Sequence, residues 1–135
     1  MGFEKSLILS AAGMKAQGDR LRVIAENLAN ESSAPDRPGG DPYRRKIVTF
    51  KNVLDRELSV NKVKVDKVRE DQTEFPLRYD PTHPGANADG YVKMPNVNTL
   101  VELMDMREAQ RSYEANLNMI EVSKSMLART LDLLR

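Results

Sequence analysis

The chain has 135 residues, and its 21 Lys and Arg against 20 Asp and Glu give a formal net charge of +1 at pH 7. That balance, with no basic stripe along the chain, argues against nucleic acid or an acidic membrane surface as the partner. Cysteine is absent and aromatic residues make up only 5% of the chain, which excludes disulfides and limits the core that the chain can build alone. We therefore expect part of its stability to come from a partner.

The N-terminal stretch opens with a short apolar patch that becomes polar from Lys15 onward. A cleaved secretory signal needs a longer unbroken apolar region, and no apolar run approaches the ~20 residues of a membrane span. We expect a soluble chain that is neither inserted into a membrane nor exported with a cleaved signal peptide.

Residues 3–30 have the pattern of an amphipathic helix. Its apolar side chains recur at heptad spacing, at Leu7, Met14, Leu21 and Leu28, and Ile24 fills in on the same side. This spacing produces a narrow apolar seam along one side of a helix. Gln17 and Gly18 fall in the middle of the stretch, and we expect them to interrupt the helix.

Residues 31–98 are predicted to be β-rich with long loops. All seven prolines of the chain lie in this segment, and proline breaks helices by removing a backbone donor. Runs rich in β-branched and aromatic residues predict strands at Lys46–Phe50, Val60–Val68, Phe75–Tyr79 and Tyr91–Val92. Long loops are expected at 32–43 and 80–90.

Residues 99–134 predict a second, longer amphipathic helix. Thr99 and Glu102 have the spacing of a capping box, in which a hydroxyl and a carboxylate satisfy the first free amides of the helix reciprocally. The apolar stripe consists of a heptad series with three leucines beside it: Met106, Tyr113, Ile120, Leu127 and Leu134, then Leu103, Leu117 and Leu131.

These segments predict an α+β fold, with two long terminal helices that pair antiparallel as a coiled-coil-like inner domain and a small β-rich insert between them. The predicted boundaries are 1–33 and 97–135 for the helical domain and 34–96 for the insert. Because two helices cover only one side of each other, the remaining apolar surface predicts contacts with neighbouring subunits. The predicted interface is the two seams: Leu7, Met14, Leu21, Ile24, Leu28, Leu103, Met106, Tyr113, Leu117, Ile120, Leu127, Leu131 and Leu134.

No catalytic, metal or cofactor site is predicted. His83 is the only histidine, whereas a metal site needs several converging ligands and a catalytic triad needs a positioned base. The tract 87–90 resembles part of a calcium loop but lacks the required acids, so a turn is favoured. For the basic triplet at 44–46, a solvated strand edge is favoured over a docking site for an acidic partner.

Several stretches resemble the rod, hook and hook-associated family of the bacterial flagellum. The end of the first helix, Asn27-Leu28-Ala29-Asn30 followed by Ser33, is similar to the N-terminal signature of that family, which usually has Thr where Ser33 stands. Further matches, spread in order along the chain, resemble the proximal rod members: residues 39–46, 79–84, 89–98, 111–116 with Tyr113 and Asn116, and 130–134.

The resemblance implies a structural subunit of the proximal rod of the flagellar basal body, with no enzymatic activity and no cofactor. Such a subunit polymerises through its terminal helices into the axial drive shaft that transmits torque. The implied partners are copies of itself, other proximal and distal rod subunits, and the junction proteins of the rotor base and the export gate. Export through the flagellar type III apparatus and assembly in the periplasm are implied as well.

Two alternatives remain open. An autonomous coiled-coil adaptor would need continuous heptads, and the polar residues Gln110 and Lys124 break them. A hydrolase acting on the cell wall would need paired carboxylates in a cleft, whereas the acidic residues here are scattered over helix surfaces and loops.

Overall fold

A computed structural model describes residues 2–135. Two long helices occupy the two ends of the chain, α1 (Gly2–Ala29) and α2 (Thr99–Leu133), and between them lie β1 (Lys46–Asp55), β2 (Val60–Glu70), β3 (Leu77–Tyr79) and β4 (Tyr91–Lys93). The predicted α+β fold, with two packed terminal helices around a β insert, is confirmed. Within residues 2–135, neither helix has a stretch that is both long and apolar enough to cross a membrane.

Helix α1 runs unbroken through Gln17 and Gly18, so the predicted interruption is wrong. A single glycine costs a helix only about 1 kcal/mol relative to alanine, which the good helix formers on either side offset. The helix ends at Ala29, where Asn30 donates from Nδ2 to the Glu26 carbonyl oxygen over 2.8 Å. The Asn30 backbone amide donates to the same oxygen over 3.2 Å, so the side chain adds a second hydrogen bond at the helix end.

Helix α2 begins where predicted, but Asn98 caps it and the predicted capping box does not form. Asn98 Oδ1 accepts from the amides of Leu100 and Val101 over 3.0 and 3.4 Å. Asparagine is among the best N-cap residues because its side-chain oxygen reaches these free amides. Thr99 bonds instead to a loop carboxylate, and the buried Glu102 carboxylate bonds elsewhere.

The four strands form two separate two-stranded sheets, β1 with β2 and β3 with β4. Strands β1 and β2 are longer than predicted, and their connection at 56–59 is too short for a parallel crossover, so they form an antiparallel hairpin. The Asp55 carboxylate accepts from two amides of this turn over 3.1 and 3.3 Å. Strand β3, shorter than predicted, pairs antiparallel with β4, with Arg78 opposite Val92.

The chain folds into two compact units. Unit 1 comprises Met1–Leu21, Val48–Lys67 and Met106–Arg135, and unit 2 comprises Arg22–Ile47 and Val68–Asp105. These two units are defined by packing within the monomer. The predicted boundaries at 33/34 and 96/97 instead separate a helical assembly domain from a β-rich insert, and that division stays a prediction.

Within unit 1, small and polar residues lie where α1 meets α2. The Ser6 and Ser123 hydroxyls are hydrogen-bonded over 3.0 Å, and a Cβ added at Gly13 would lie 2.7 Å from Asn116 Nδ2. Seven residues further along α1, the Arg20 guanidinium lies 3.6 Å from a carboxylate oxygen of α2. The helices are therefore antiparallel, in a fixed register. The buried residues of the helices in unit 1 are also small or polar: Ser10, Ala16, Ala109 and Ser123.

Unit 2 buries larger residues together with polar ones. Val23, Ile24 and Val92 are buried apolar residues, while Asn27 and Glu102 are buried polar ones. Asn27 and Glu102 continue the helix pairing within this unit, because Asn27 Nδ2 lies 3.4 Å from Glu102 Oε2.

Candidate functional site

The Asn27 side chain joins the end of α1 to the start of β1. It is 1% exposed, and its amide bonds to the backbone of Lys46 on both sides, donating to the carbonyl oxygen and accepting from the amide, each over 2.9 Å. The Tyr43 hydroxyl donates to the same Asn27 oxygen over 2.8 Å. The first residue of the predicted family motif thus acts like one strand residue in a ladder.

The Arg45 guanidinium lies beside three carboxylates. Its Nε donates to the buried Glu102, Nη1 lies 3.2 Å from Asp71 Oδ2, and Nη2 lies 3.4 Å from Asp105 Oδ2. Its own amide donates to Asn96 Oδ1 over 2.7 Å. One cation, on the residue before β1, therefore contacts the residue after β2 and the first turns of α2. Charge-assisted hydrogen bonds of this kind are strong, but the loss of one partner leaves the opposite charge buried without compensation and destabilises the fold.

The electrostatics of this cluster shift three pKa values. Hydrogen bonds from the Thr73 amide and hydroxyl, and then from Arg45, hold the pKa of Asp71 below its usual value against the opposing effect of burial. For Arg45, burial lowers the pKa, but the hydrogen bonds to Glu102 and Asp71 and the charges of these two carboxylates together raise it above its usual value. Burial raises the pKa of the Tyr43 phenol. The folded cluster therefore favours an ionised Asp71, a charged Arg45 and a neutral Tyr43.

Arg44 and Arg45 are structural residues, so the interpretation of the triplet at 44–46 as a solvated strand edge is wrong. Arg44 donates to the carbonyl oxygens of Asp71 and Thr73 over 2.8 and 3.2 Å, and its guanidinium stacks 4.1 Å from the centre of the Phe75 ring. These partners follow β2 and lie 26 or more residues away in sequence, which a local pattern cannot reveal.

The loop that precedes β4 is held by turn chemistry, as predicted. Asn87 Oδ1 accepts from the amides of Asp89 and Tyr91, each over 3.0 Å, and Gly90 has φ of 85°. His83 Nδ1 accepts from an amide two residues on, over 2.9 Å, as a loop residue would. Across residues 2–135, no group of His, Cys, Asp and Glu is placed to hold a metal ion.

The predicted seam residues are distributed unevenly. Ile24 is the buried member, whereas the others are half-buried or exposed. The half-buried ones are Leu7, Met14, Leu21, Leu28, Met106, Tyr113 and Ile120, and the exposed ones are Leu103, Leu117, Leu127, Leu131 and Leu134. Of the two C-terminal motif residues, Tyr113 is half-buried and Asn116 lies against Gly13 and donates to the Ser112 carbonyl oxygen over 3.0 Å. The seams thus flank the helix contact, and the polar line occupies its centre.

A second apolar face on α2 lies outside the two predicted seams, and we call it the methionine face: Met119, Val122, Met126 and Leu133. With 3.6 residues per turn, Met119 and Ile120 fall on opposite sides of the line through Asn116 and Ser123. The first three members line a groove of about 400 Å³ together with Gly2, Phe3, Ser6 and Ser123. Their spacing of three, four and seven residues was the available signal, but methionines at helical spacing also suit an ordinary core.

Comparison with known proteins identifies relatives along the whole chain. Residues 88–133 match the family model described as the C-terminal region of flagellar basal body rod FlgEFG proteins. The chain is 50% identical to the flagellar basal-body rod protein FlgC of Agrobacterium fabrum strain C58, over 94% of this chain and 91% of that protein. It is 41% identical to the FlgC of Bacillus subtilis strain 168, over 95% of each chain. It is also 42% identical to the FlgC of Salmonella typhimurium strain LT2, over 93% of this chain and 92% of that protein.

These identities extend over nearly the full length of each protein. The family is structural and its members are not enzymes. The chain therefore belongs to the FlgC family of flagellar basal-body rod proteins.

Proposed function

We propose that this structural rod component forms part of the proximal rod, polymerising through its terminal helices into the axial shaft that transmits torque. The observation that carries the proposal is the apolar surface of α2. Within unit 1, apolar side chains stay exposed along the helix from Leu117, at 39%, to Leu133, at 85%. A contiguous apolar surface of this kind marks a site of association with another protein.

Two faces of α2 support association with more than one neighbour. The seam face carries Leu117, Leu127 and Leu131, and the methionine face lies on the other side of the line that contacts α1. Because the two faces differ in composition, a neighbour on one is not equivalent to a neighbour on the other. Such heterologous contacts generate an open helical array when the rotation between neighbours does not close into a ring.

The energy for assembly would come from burying these side chains. Complete burial of one exposed Leu or Met contributes about 1.5–3 kcal/mol. The half-buried seam residues would contribute a smaller free energy each, from burial of the part that is still exposed. The small and polar residues of the α1–α2 contact contribute less, so the neighbours in the array would supply much of the stability of unit 1. Rigidity, and with it torque transmission, would follow from assembly.

The partners in this proposal are copies of the chain, other proximal and distal rod subunits, and the junction proteins of the rotor base and the export gate. The chain would leave the cell through the flagellar type III apparatus and assemble in the periplasm. Transit through a narrow channel requires an unfolded chain, and a monomer with little buried apolar area unfolds at low cost.

The test places a carboxylate on the seam face in cells that lack their own copy of the protein. Leu117→Asp should prevent incorporation into purified basal bodies and stop swimming, because burying an unpaired carboxylate at an interface costs several kcal/mol. Asn118→Asp, an exposed neighbour that gains the same group, is the matched control and should swim normally. Swimming cells whose basal bodies contain the Leu117→Asp chain would overturn the proposed interface.

A further inference from the structure

Methionine supplies all the oxidisable sulfur of this chain, because cysteine is absent. The methionines differ in exposure: Met104, Met119 and Met126 are 64%, 50% and 49% exposed, whereas Met14 and Met106 are half-buried. Oxidants in solution therefore reach the sulfurs of the first group most readily, since susceptibility follows exposure.

Met119 and Met126 share one groove, about 400 Å³ in volume, lined also by Ser6 and Ser123. A molecule of hydrogen peroxide is little larger than water, which occupies about 30 Å³ in the liquid, so the groove admits it. The two serine hydroxyls are hydrogen-bonded to each other over 3.0 Å, and either of them can be the donor. One hydroxyl hydrogen of the pair is thus not used in that bond, so the lining of the groove includes a polar hydrogen beside its apolar side chains.

We propose that Met119 and Met126 form a peroxide-sensitive modification site whose oxidation weakens assembly of the chain. The thioether sulfur attacks one peroxide oxygen, the O–O bond breaks, and a sulfur–oxygen bond forms. The sulfur loses two electrons, and the other peroxide oxygen leaves as water after taking up the hydrogen of the transferred oxygen. The product is methionine sulfoxide, which is polar and chiral where the thioether was apolar and flexible.

The effect on assembly rests on the proposed function, because it requires the methionine face to meet a neighbouring subunit. A sulfoxide oxygen at that interface either gives up its hydrogen bonds to water or prevents the two surfaces from coming into contact. We expect the dissociation constant for self-association to rise roughly tenfold or more for each oxidised methionine, the factor that a buried and imperfectly paired polar group typically costs.

The experiment exposes the purified full chain to hydrogen peroxide and follows two quantities over time. Peptide mapping reports the gain of about 16 Da at each methionine that becomes a sulfoxide, and sedimentation velocity reports self-association. Met119 and Met126 should be oxidised before Met14 and Met106, and association should fall as they are oxidised. Methionine sulfoxide reductase should restore both quantities.

The matched variant is Met119→Leu with Met126→Leu, which keeps the face apolar and removes both sulfurs. The measure is the ratio of dissociation constants after and before peroxide within each protein, so any change in the variant's own association cancels. The ratio should be large for the natural chain and near one for the variant. A large ratio in the variant would assign the effect to Met104 or another residue and overturn the proposal, as would oxidation at Met119 and Met126 that leaves association unchanged. If the untreated natural chain does not self-associate, the proposed function fails instead, and the oxidation rates alone judge the site.

Discussion

At the residue scale, Asn27 uses its full hydrogen-bonding capacity inside unit 2. Its amide nitrogen has two donor hydrogens, which meet the Lys46 carbonyl oxygen and the Glu102 carboxylate. Its oxygen has two lone pairs, which meet the Lys46 amide and the Tyr43 hydroxyl. No other residue type of this size offers two donors and two acceptors, so the position is chemically specific for asparagine.

Asn27→Asp should therefore destabilise the monomer strongly although the two side chains have nearly the same shape. The aspartate loses both donors and places a second carboxylate beside the buried Glu102. We expect the free energy of unfolding, measured by urea titration, to fall by about 3 kcal/mol or more. Asn118→Asp, at an exposed position, should change it by less than about 0.5 kcal/mol. Equal effects of the two variants would contradict the role assigned to Asn27.

Part of the acid dependence of stability should be traceable to Asp71. Its pKa is held below its usual value in the folded chain, first by the Thr73 amide and then by the Thr73 hydroxyl and Arg45. A carboxyl group with a depressed pKa contributes stability that is present above its unfolded pKa and is lost as the pH falls through its folded pKa. The unfolding free energy should therefore decline below about pH 4, and Asp71→Asn should flatten that decline. An unchanged slope in urea titrations of the variant between pH 5 and 2 would exclude Asp71 as the cause.

At the scale of elements, the close approach of α1 to α2 in unit 1 depends on Gly13. A Cβ at this position would lie 2.7 Å from Asn116 Nδ2, a distance that real contacts essentially never show, whereas a Cβ at Gly18 would meet nothing within 4 Å. The two glycines share one helix and one cost in helix propensity. They differ in the space around them, which makes each a control for the other.

Gly18→Ala should raise the free energy of unfolding by up to about 1 kcal/mol, the propensity gain alone.

Gly13→Ala should lower the free energy of unfolding, because Asn116 must give up its bond to the Ser112 carbonyl oxygen or the helices must separate. In an Asn116→Ala background, Gly13→Ala should become stabilising, since the opposing atoms are gone. Thermal unfolding of the four proteins in this cycle measures the coupling. Additive effects would show that Gly13 and Asn116 do not meet.

The sequence allowed the helices and strands to be predicted, but not which side of each helix faces inward. Two heptad series run side by side along α1, the apolar Leu7, Met14 and Leu21 and the small or polar Ser6 and Gly13. Periodicity predicts a helix that buries one side. Because apolar side chains are usually the buried ones, the apolar series was predicted to form the contact between α1 and α2. Within unit 1 the structure places the small series at the contact, because glycine and serine let two backbones come closer than leucine does.

The parts of the candidate site that repeat at helical spacing could be predicted, whereas pairs of residues that are distant in sequence could not. The apolar stripe of leucines on α2 was predicted from its spacing. The partners of Arg45 do not, because Asp71 and Glu102 become its neighbours only once the chain has folded. Glu102 was assigned to a local cap because its spacing from Thr99 suits one, and Asn98 takes that role instead.

At the scale of the whole molecule, the two units differ in what holds each of them together. Unit 2 has buried Val23, Ile24 and Val92 and a network of charged and amide groups. The buried residues of unit 1 are small or polar, such as Ser10 and Ala109. Burying an alanine or a serine contributes far less than burying a large apolar side chain, so unit 1 has less to offset the entropy of ordering two helices and a hairpin.

Hydrogen exchange on dilute, monomeric chain should therefore divide along the units. In α2, the amides of residues 117–133 should exchange about a hundredfold faster than those of residues 102–105, although one helix contains both segments. The same contrast should appear in α1, with residues 23–29 protected and the first turns exposed to exchange. Assembly should slow exchange in unit 1 selectively, because neighbours would then cover the exposed faces of α2. Uniform protection along both helices in a confirmed monomer would contradict this account, since it would mean that unit 1 needs no neighbour to stay folded.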